Sequence, residues 1–277
     1  MAVKSAIINV MVGAALKAGP QLARDFGEVE QLQVSKKGPS DFVSMADLKA
    51  EKTLHRELSK ARPDFGFLME EQGVREGADS TQRWIIDPLD GTTNFLHGIP
   101  HFAISIGYES NGEILAGVIY DPIKNEMFWA ERGRGAWMND KRLRVSSRSD
   151  LSEAVLATGI PHHGRGNTRE FLAMSEIFMA RTAGIRRFGA AALDLAYVAA
   201  GRYEGYWELD LKPWDVAAGA IIVREAGGFI TDYAGRDRAV QSGEVLAAND
   251  HLHPALVKLI SDARRDVAAR TAKTASN

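Results

Sequence analysis

Asp87 and Asp90 stand three residues apart in Trp84-Ile85-Ile86-Asp87-Pro88-Leu89-Asp90-Gly91-Thr92-Thr93-Asn94-Phe95. An apolar run precedes them and a Gly-Thr-Thr turn follows. The run reads as a buried strand. Pro88 has no N–H and a fixed φ, so it is expected to end the strand ladder. Both carboxylates then lie at a strand end, where the turning backbone aims them into one pocket. Oxygen-rich pockets of this kind suit Mg²⁺, which is small, hard and octahedral. Gly91 and Thr92 bring backbone N–H groups to an expected short helix start, which favours anions. Metal ligands beside a phosphate cradle point to phosphate-ester chemistry.

Two further segments supply negative charge. Glu70-Glu71 follows the short apolar run Phe65 to Met69. Trp214-Asp215 opens an apolar stretch that ends at Gly227-Gly228. That stretch has the signals of a buried helix, with Asp215 at or near its N-cap and glycine past its end. Taken singly, an aspartate at a helix start and a surface acidic pair are ordinary features.

Together the three segments are more specific. Glu70-Glu71, then Asp87 to Phe95, then Trp214 to Gly219 follow the order and spacing of a known pattern: an acidic pair after a strand, Asp-Pro-Ile/Leu-Asp-Gly-Thr-Thr-Asn-Phe, and Trp-Asp-x-Ala-Ala-Gly. In these motifs the chain resembles the inositol monophosphatase family, within the lithium-sensitive, magnesium-dependent sugar phosphatases. The resemblance covers roughly residues 30 to 250.

The resemblance implies a role for each matching residue. Glu70, Asp87 and the carbonyl of Leu89 would hold one Mg²⁺. Asp87, Asp90 and Asp215 would hold a second, and Glu70 would help hold a weaker third through water. Glu70 and Thr92 would flank the attacking water, and Asp47 matches the aspartate that orients the threonine hydroxyl. By residue type alone Asp47 reads as an N-cap. The N–H groups of Gly91 and Thr92 would cradle phosphate. Glu208, seven residues before Asp215, would contact substrate hydroxyls, with Gly189 and Ala191 in the small-residue loop beside the sugar. Without the family, these two small residues read equally well as close helix packing. Asp90 would also touch the hydroxyl next to the phosphate.

Other groups invite plainer readings. Adjacent His162 and His163 point in different directions, so a shared metal is not expected. Arg186-Arg187 has the charge to bind phosphate, but a surface helix entry or subunit contact is the plainer reading. Trp84, Trp207 and Trp214 read as core or pocket wall. Lys36 falls in the loop that closes over the family's site. The chain also departs from the family pattern. Met69 replaces the glycine often found before the acidic pair, and Gly159-Ile160-Pro161-His162 replaces a polar stretch near the substrate in some members. The second departure weakens strict inositol specificity, and Leu211-Lys212-Pro213-Trp214-Asp215 is compatible with a broad one.

The 277 residues suffice for one large domain or two intimate halves. The expected organisation is a single phosphatase domain over 1–277, with halves of about 1–150 and 151–277 flanking the site. A net charge of −2 gives no global bias towards nucleic acid or anionic membrane. The absence of cysteine excludes disulfides, thiolate metal sites and a thiol nucleophile. No run of about 18 uninterrupted apolar residues is present, so no membrane span is expected. Ala6, Ile7, Val10, Met11, Ala14 and Ala18 recur at helical spacing and read as a first amphipathic helix. A cytoplasmic location is the default.

Lys36 to Asp41 reads as a turn-rich charged loop and Asp47 to Ala61 as a helix. Short strands separated by Asn111-Gly112 and Asp121-Pro122 read as an antiparallel meander from Phe102 to Trp137. Helices are expected at Thr168–Arg181, Ala191–Ala200 and His253–Thr271, with fraying beyond, and strands at Tyr203–Glu208 and Phe229–Thr231. Sheets interleaved with helix pairs give a layered α/β sandwich. The resemblance sharpens this to alternating α-β-α-β-α layers of the inositol monophosphatase and fructose-1,6-bisphosphatase type. It also implies a homodimer. The leading expectation is a Mg²⁺-dependent phosphatase, using two or three ions, for small polyol phosphate monoesters such as inositol 1-phosphate. Histidinol phosphate, a sugar bisphosphate or a nucleotide-derived phosphate are alternative substrates, because metal ligands read only the phosphate. A regulatory, protein-binding role on the same fold is the alternative from another class.

Overall fold

The structure, a computed structural model, describes residues 3–28, 34–38, 41–161 and 166–275. The chain opens with helix α1 (Ala6–Gly27), capped by the Ser5 hydroxyl, which accepts from the Ile8 N–H at 3.2 Å. A hairpin of β1 (Val34–Gly38) and β2 (Asp41–Ser44) leads into α2 (Met45–Ala61). Then come β3 (Phe65–Met69), β4 (Gly73–Arg75), β5 (Asp79–Asp90), the short α3 (Thr92–Leu96), β6 (Ala103–Ser110), β7 (Glu113–Asp121), β8 (Glu126–Glu131), β9 (Ala136–Met138) and β10 (Lys141–Arg142). The second half runs β11 (Val155–Thr158), α4 (Thr168–Met179), β12 (Gly184–Arg186), α5 (Ala191–Ala199), β13 (Gly205–Glu208), α6 (Pro213–Glu225), β14 (Phe229–Thr231), α7 (Ala239–Ser242), β15 (Val245–Ala248) and α8 (His253–Ala275).

Strands β3 to β10 form one sheet of eight, in the order β10-β9-β8-β7-β6-β5-β3-β4. A second sheet of five has the order β12-β11-β13-β15-β14. Successive strand residues point to opposite faces, and the side chains divide between three cores accordingly. Trp84, Ile86 and Val118 pack with Ile8, Met11, Leu54 and Leu58 of α1 and α2. Ile85 and Ile119, from the opposite face, pack with Leu195 of α5 and Ile222 of α6. Tyr206 and Ala247 of the smaller sheet close that middle core. Trp207 and Leu246 face the other way, onto Phe178 of α4 and Ile260 of α8. The order of layers is therefore α1/α2, large sheet, α5/α6, small sheet, α4/α8. This is the expected α-β-α-β-α sandwich.

Helix α1 is the one described helix long and apolar enough to cross a membrane by length and composition. Its stripe of Ile8, Met11, Ala14, Ala15, Ala18 and Leu22 is instead buried in the protein core. In the middle layer α6 comes unusually close to the large sheet. A Cβ on Gly117 of β7 would stand 2.6 Å from the Ala218 carbonyl oxygen. Glycine is what lets the helix and the strand approach to that depth.

Several expectations need correction. Pro88 does not end its strand. β5 continues to Asp90, and the register with β6 shifts between Asp87↔Ser105 and Asp90↔Ala103. Proline's missing donor is absorbed by a bulge, which turns both aspartates without ending the pairing. Residues 36–38 and 41, expected in a loop, belong to the β1–β2 hairpin. Strand β13 begins at Gly205 rather than Tyr203, α4 ends at Met179 rather than Arg181, and α8 passes its expected end at Thr271 to reach Ala275.

Candidate active site

Strands β3 and β5 are parallel, with Met69 opposite Ile86. The next residues along are Glu70 and Asp87, and the Glu70 N–H donates to the Ile86 carbonyl at 3.2 Å. Two carboxylates from distant segments thus leave the sheet side by side. Asp87 folds back on its own turn, where its Oδ1 accepts from the Leu89 N–H at 2.9 Å. Asp215 arrives from the middle layer. Ser105, opposite Asp87 in the β5–β6 ladder, donates its hydroxyl to the Trp214 carbonyl at 3.1 Å. That bond pins the start of α6 beside Asp87.

Asp215 is not the N-cap of α6. Lys212 holds that position and Pro213 follows it, so Asp215 lies in the first turn, where its Oδ2 accepts from the Lys212 N–H at 2.7 Å. Asp47 occupies the same place in α2. Ser44 is the N-cap there, and its N–H donates to the Asp47 Oδ2 at 2.8 Å in a reciprocal capping box. The other carboxylate oxygen of Asp47 is 3.1 Å from the Thr92 hydroxyl. Asp47 is fully buried, and burial raises its pKa against the hydrogen bonds from Ser44 that lower it. Asp47 therefore both caps a helix and reaches Thr92.

Asp90 crosses to the second half of the chain. Its Oδ2 accepts from the Ala192 N–H at 2.7 Å, in the first turn of α5. The Asn94 amide donates to the carbonyls of His101 at 2.8 Å and Phe188 at 2.7 Å, tying α3 to the loop that carries Gly189. Gly91 precedes α3 with φ +93°, a left-handed conformation that favours glycine.

Electrostatics bind the carboxylates into one group. Burial raises Asp87 well above the usual carboxylate range, and the nearby charges of Glu70, Asp90 and Asp215 push it further. Asp90 is pushed up to about 8, first by burial and next by Asp215, against the Ala192 N–H. Among the described residues, no three His, Asp or Glu side chains form a ready-made cage for a metal ion. Mg²⁺ needs no such cage, since it usually keeps several waters and completes its shell with substrate phosphate oxygens. The donor set is wholly oxygen and strongly self-repelling, which is the chemistry a hard cation relieves.

Beside this group lies a cavity of about 170 Å³, lined among others by Asp90, Gly91, Thr92, Ala191, Glu208 and Asp215. Gly189 also reaches it, with φ +79°. Glu70, Asp87, Leu89 and Asp47 are not on its wall. They reach the cavity through Asp90, Asp215 and Thr92. The Leu89 carbonyl accepts from the Thr92 hydroxyl at 3.0 Å, in competition with Asp47 for one proton.

Other residues were not foreseen in these places. Arg187, for which a surface or subunit contact is the plainer reading and phosphate binding the other, lines the cavity. Arg186 ends β12 and does not open a helix. Glu51 is fully buried one turn after Asp47, and its Oε2 accepts from the Glu71 N–H at 2.9 Å. The i, i+4 spacing of Asp47 and Glu51 on α2 was an available signal. Neither carboxylate oxygen of buried Asp194 has a hydrogen-bond partner among the described residues. Burial holds its pKa well above the usual range, with Glu208 and Asp90 adding to the shift and Arg187 opposing it. Trp84 and Trp207 are buried as expected, and Trp214 is half-buried against the middle core. His162 and His163 lie outside the described residues, as does the side chain of Lys36.

The layers and the acidic cleft define a hydrolase of phosphoric monoesters, and comparison with known proteins agrees. The sequence profile of the inositol monophosphatase family matches residues 4–265. The chain is 57% identical over 257 residues to an inositol-1-monophosphatase of Mesorhizobium japonicum, covering 93% of this chain and 97% of that protein. It is 44% identical over 243 residues to a protein of Vibrio cholerae named Nus factor SuhB, covering 88% and 91%. The crystal structure of the extragenic suppressor protein suhB from Bartonella henselae superposes with a TM-score of 0.90 at 57% identity, covering 92% of this chain and 98% of that one. The chain belongs to the inositol monophosphatase family.

Proposed function

We propose that the protein is a Mg²⁺-dependent phosphatase of small polyol phosphate monoesters, with inositol 1-phosphate as the leading substrate. The observation that carries this reading is the convergence of Glu70, Asp87, Asp90 and Asp215 beside the Thr92–Asp47 pair at one cavity. Glu70, Asp87 and the Leu89 carbonyl would hold one ion. Asp87, Asp90 and Asp215 would hold a second, and Glu70 through water would support a weaker third. Bound Mg²⁺ neutralises phosphate charge, favours a hydroxide-like nucleophile and stabilises the leaving alkoxide.

The chain's own groups do the rest. The N–H groups of Gly91 and Thr92 hold the phosphate at the start of α3. Thr92 and Glu70 orient the attacking water. Asp47 accepts the Thr92 hydroxyl hydrogen bond, because a lone hydroxyl is too weak a base. Attack forms a bond from water oxygen to phosphorus, the water's proton passing to the Thr92–Asp47 pair, as the bond to the sugar oxygen breaks and the released alkoxide takes a proton from solvent water. Glu208, Ala191, Gly189 and Asp90 receive the substrate hydroxyls. The chain works as one phosphatase domain with its two halves on either side of the cavity. It acts in the cytoplasm, the default location, and pairs as a homodimer, as the resemblance implies.

Phosphate release across a panel of monoesters, with and without Mg²⁺, tests the reading. Release from inositol 1-phosphate that needs Mg²⁺ and falls with Li⁺ is the expected result. Better turnover of histidinol phosphate, a sugar bisphosphate or a nucleotide-derived phosphate would replace the leading substrate. A second, regulatory reading draws on the Vibrio cholerae relative named as a Nus factor. It is favoured if the panel yields no turnover, and the intact carboxylate set weighs against it.

A further inference from the structure

Gly159 directly follows β11, and the parallel register Thr158↔Trp207 carries it alongside Glu208 at the end of β13. The Thr158 hydroxyl lies 2.8 Å from the Trp207 carbonyl, closing the two strands together at this level. There is no room for a side chain at position 159. A Cβ there would stand 2.0 Å from both the Cδ and Oε1 of Glu208 and 2.2 Å from its Oε2. The backbone does not require glycine, because Gly159 is not among the residues of positive φ. The Glu208 carboxylate does. Tyr206 confines it from another side. Residues two apart on a strand share a face, and the buried Tyr206 hydroxyl donates to the Glu208 Oε2 at 2.5 Å. Both Gly159 and Glu208 open onto the cavity that holds Asp90 and Thr92.

We propose that Gly159 and Tyr206 are positioning residues for substrate selection, holding the Glu208 carboxylate where it receives the hydroxyls of a polyol phosphate. This rests on the reading of Glu208 as the hydroxyl-contacting residue. The pair favours substrates whose leaving group carries hydroxyl donors, and contributes less to an aryl phosphate that has none. The group that a side chain at 159 would displace is the far end of a flexible side chain. Gly159→Ala therefore moves Glu208 and leaves the strands in place.

The test uses the full-length enzyme in saturating Mg²⁺ with two probes, inositol 1-phosphate and p-nitrophenyl phosphate. Gly159→Ala is expected to lower kcat/KM for inositol 1-phosphate roughly 10- to 100-fold, mainly through KM. Tyr206→Phe, which removes only the hydroxyl, is expected to lower it about 2- to 10-fold. Both lower kcat/KM for p-nitrophenyl phosphate by clearly less than for inositol 1-phosphate, so the ratio between the probes shifts. In a Glu208→Ala background Gly159→Ala adds no further loss, since it acts only through that carboxylate. If Gly159→Ala fails to fold, as a thermal melt would show, Tyr206→Phe decides the question alone. Equal losses on both probes, or a full loss from Gly159→Ala in the Glu208→Ala background, overturn the inference. So does a shift in preference with Glu208→Ala that neither other variant reproduces, which leaves the reading of Glu208 standing. If Glu208→Ala leaves the preference between the probes unchanged, that reading fails and the inference with it.

Discussion

The hydroxyl of Thr92 lies 3.1 Å from a carboxylate oxygen of Asp47, a residue 45 positions earlier in the chain. The first turn of α2 and the first turn of α3 are thereby joined at the edge of the cavity. The same hydroxyl is 3.0 Å from the Leu89 carbonyl. It has one proton for two acceptors, so the charge on Asp47 decides where that proton points.

Asp47→Asn keeps the shape of the side chain and an acceptor for the Ser44 cap, and removes the charge. The expected result is a kcat lower by about 10²- to 10⁴-fold, the range for loss of a positioned acid–base partner. The capping contribution at stake is about 1 kcal/mol, so the fold should survive. Steady-state kinetics alongside thermal melts check this. A variant that melts normally and turns over at the wild-type rate would remove Asp47 from the chemistry.

The acidic group makes the metal-free protein sensitive to pH in a defined direction. Asp87 and Asp90 have pKa values raised by folding, Asp90 to about 8. The folded state therefore binds protons more tightly than the unfolded chain. Its advantage is complete below the ordinary carboxylate pKa of about 4 and is lost as pH rises through the folded value. In chelator the melting temperature should fall steadily from about pH 5 to about pH 8.5. Saturating Mg²⁺ should flatten that slope, because the ion selects the ionised carboxylates. A chelated protein that gains stability across the same interval would contradict this sign.

Asp90→Asn should shrink the stabilisation that Mg²⁺ confers. One site at a hundredfold excess over Kd contributes about 2.7 kcal/mol by mass action. The asparagine carbonyl still accepts from the Ala192 N–H, so the cap on α5 is retained. Above about pH 8, where Asp90 is ionised, the metal-free variant should be no less stable than the metal-free wild type, having lost one repelling charge. Melts across a magnesium series at constant ionic strength measure both quantities. Equal gains in the two proteins would rule out Asp90 as a ligand.

Gly91→Ala probes the turn itself. Gly91 sits at φ +93°, and an added Cβ would meet the His101 carbonyl oxygen at 3.0 Å and the Ala190 Cβ at 3.3 Å. Forcing a side chain into that conformation costs about 1–3 kcal/mol. Denaturant unfolding should show that loss, together with a higher KM for the phosphate substrate. An unchanged midpoint would mean that the turn relaxes freely.

Much of the site was legible in the sequence because its chemistry is local. Asp87 to Phe95 packs a strand end, a proline, a left-handed glycine and a helix start into nine residues, and each type has its own physical signature. The middle of the large sheet was legible for the same reason, through alternation and turn residues, whereas in the small sheet β13 and β14 were expected and β11, β12 and β15 were not. What stayed hidden depends on register between distant strands. Nothing in Glu70-Glu71 says which of the two carboxylates stands beside Asp87. The Met69↔Ile86 pairing decides it. Asp47 and Asp215 look like N-caps from their residue types, and the true caps are one turn earlier, at Ser44 and Lys212. Pro88 was read by a rule for regular ladders, and the bulge at that point satisfied it in another way. The fit of Gly159 to Glu208 links two strands across a sheet, and no pattern within either strand encodes it.

The central claim is that four carboxylates, with Asp87 between its neighbours, serve a metal-dependent release of phosphate. Phosphate release from inositol 1-phosphate across a Mg²⁺ titration, for the wild type and Asp87→Asn, tests it most directly. The account predicts wild-type turnover that is absent in chelator and rises to saturation with Mg²⁺. For Asp87→Asn it predicts a rate at least about 10²-fold lower at every magnesium concentration, because the variant loses the charge that serves both ions. Full wild-type turnover in excess chelator, or near-normal turnover of Asp87→Asn at ordinary Mg²⁺, would contradict it.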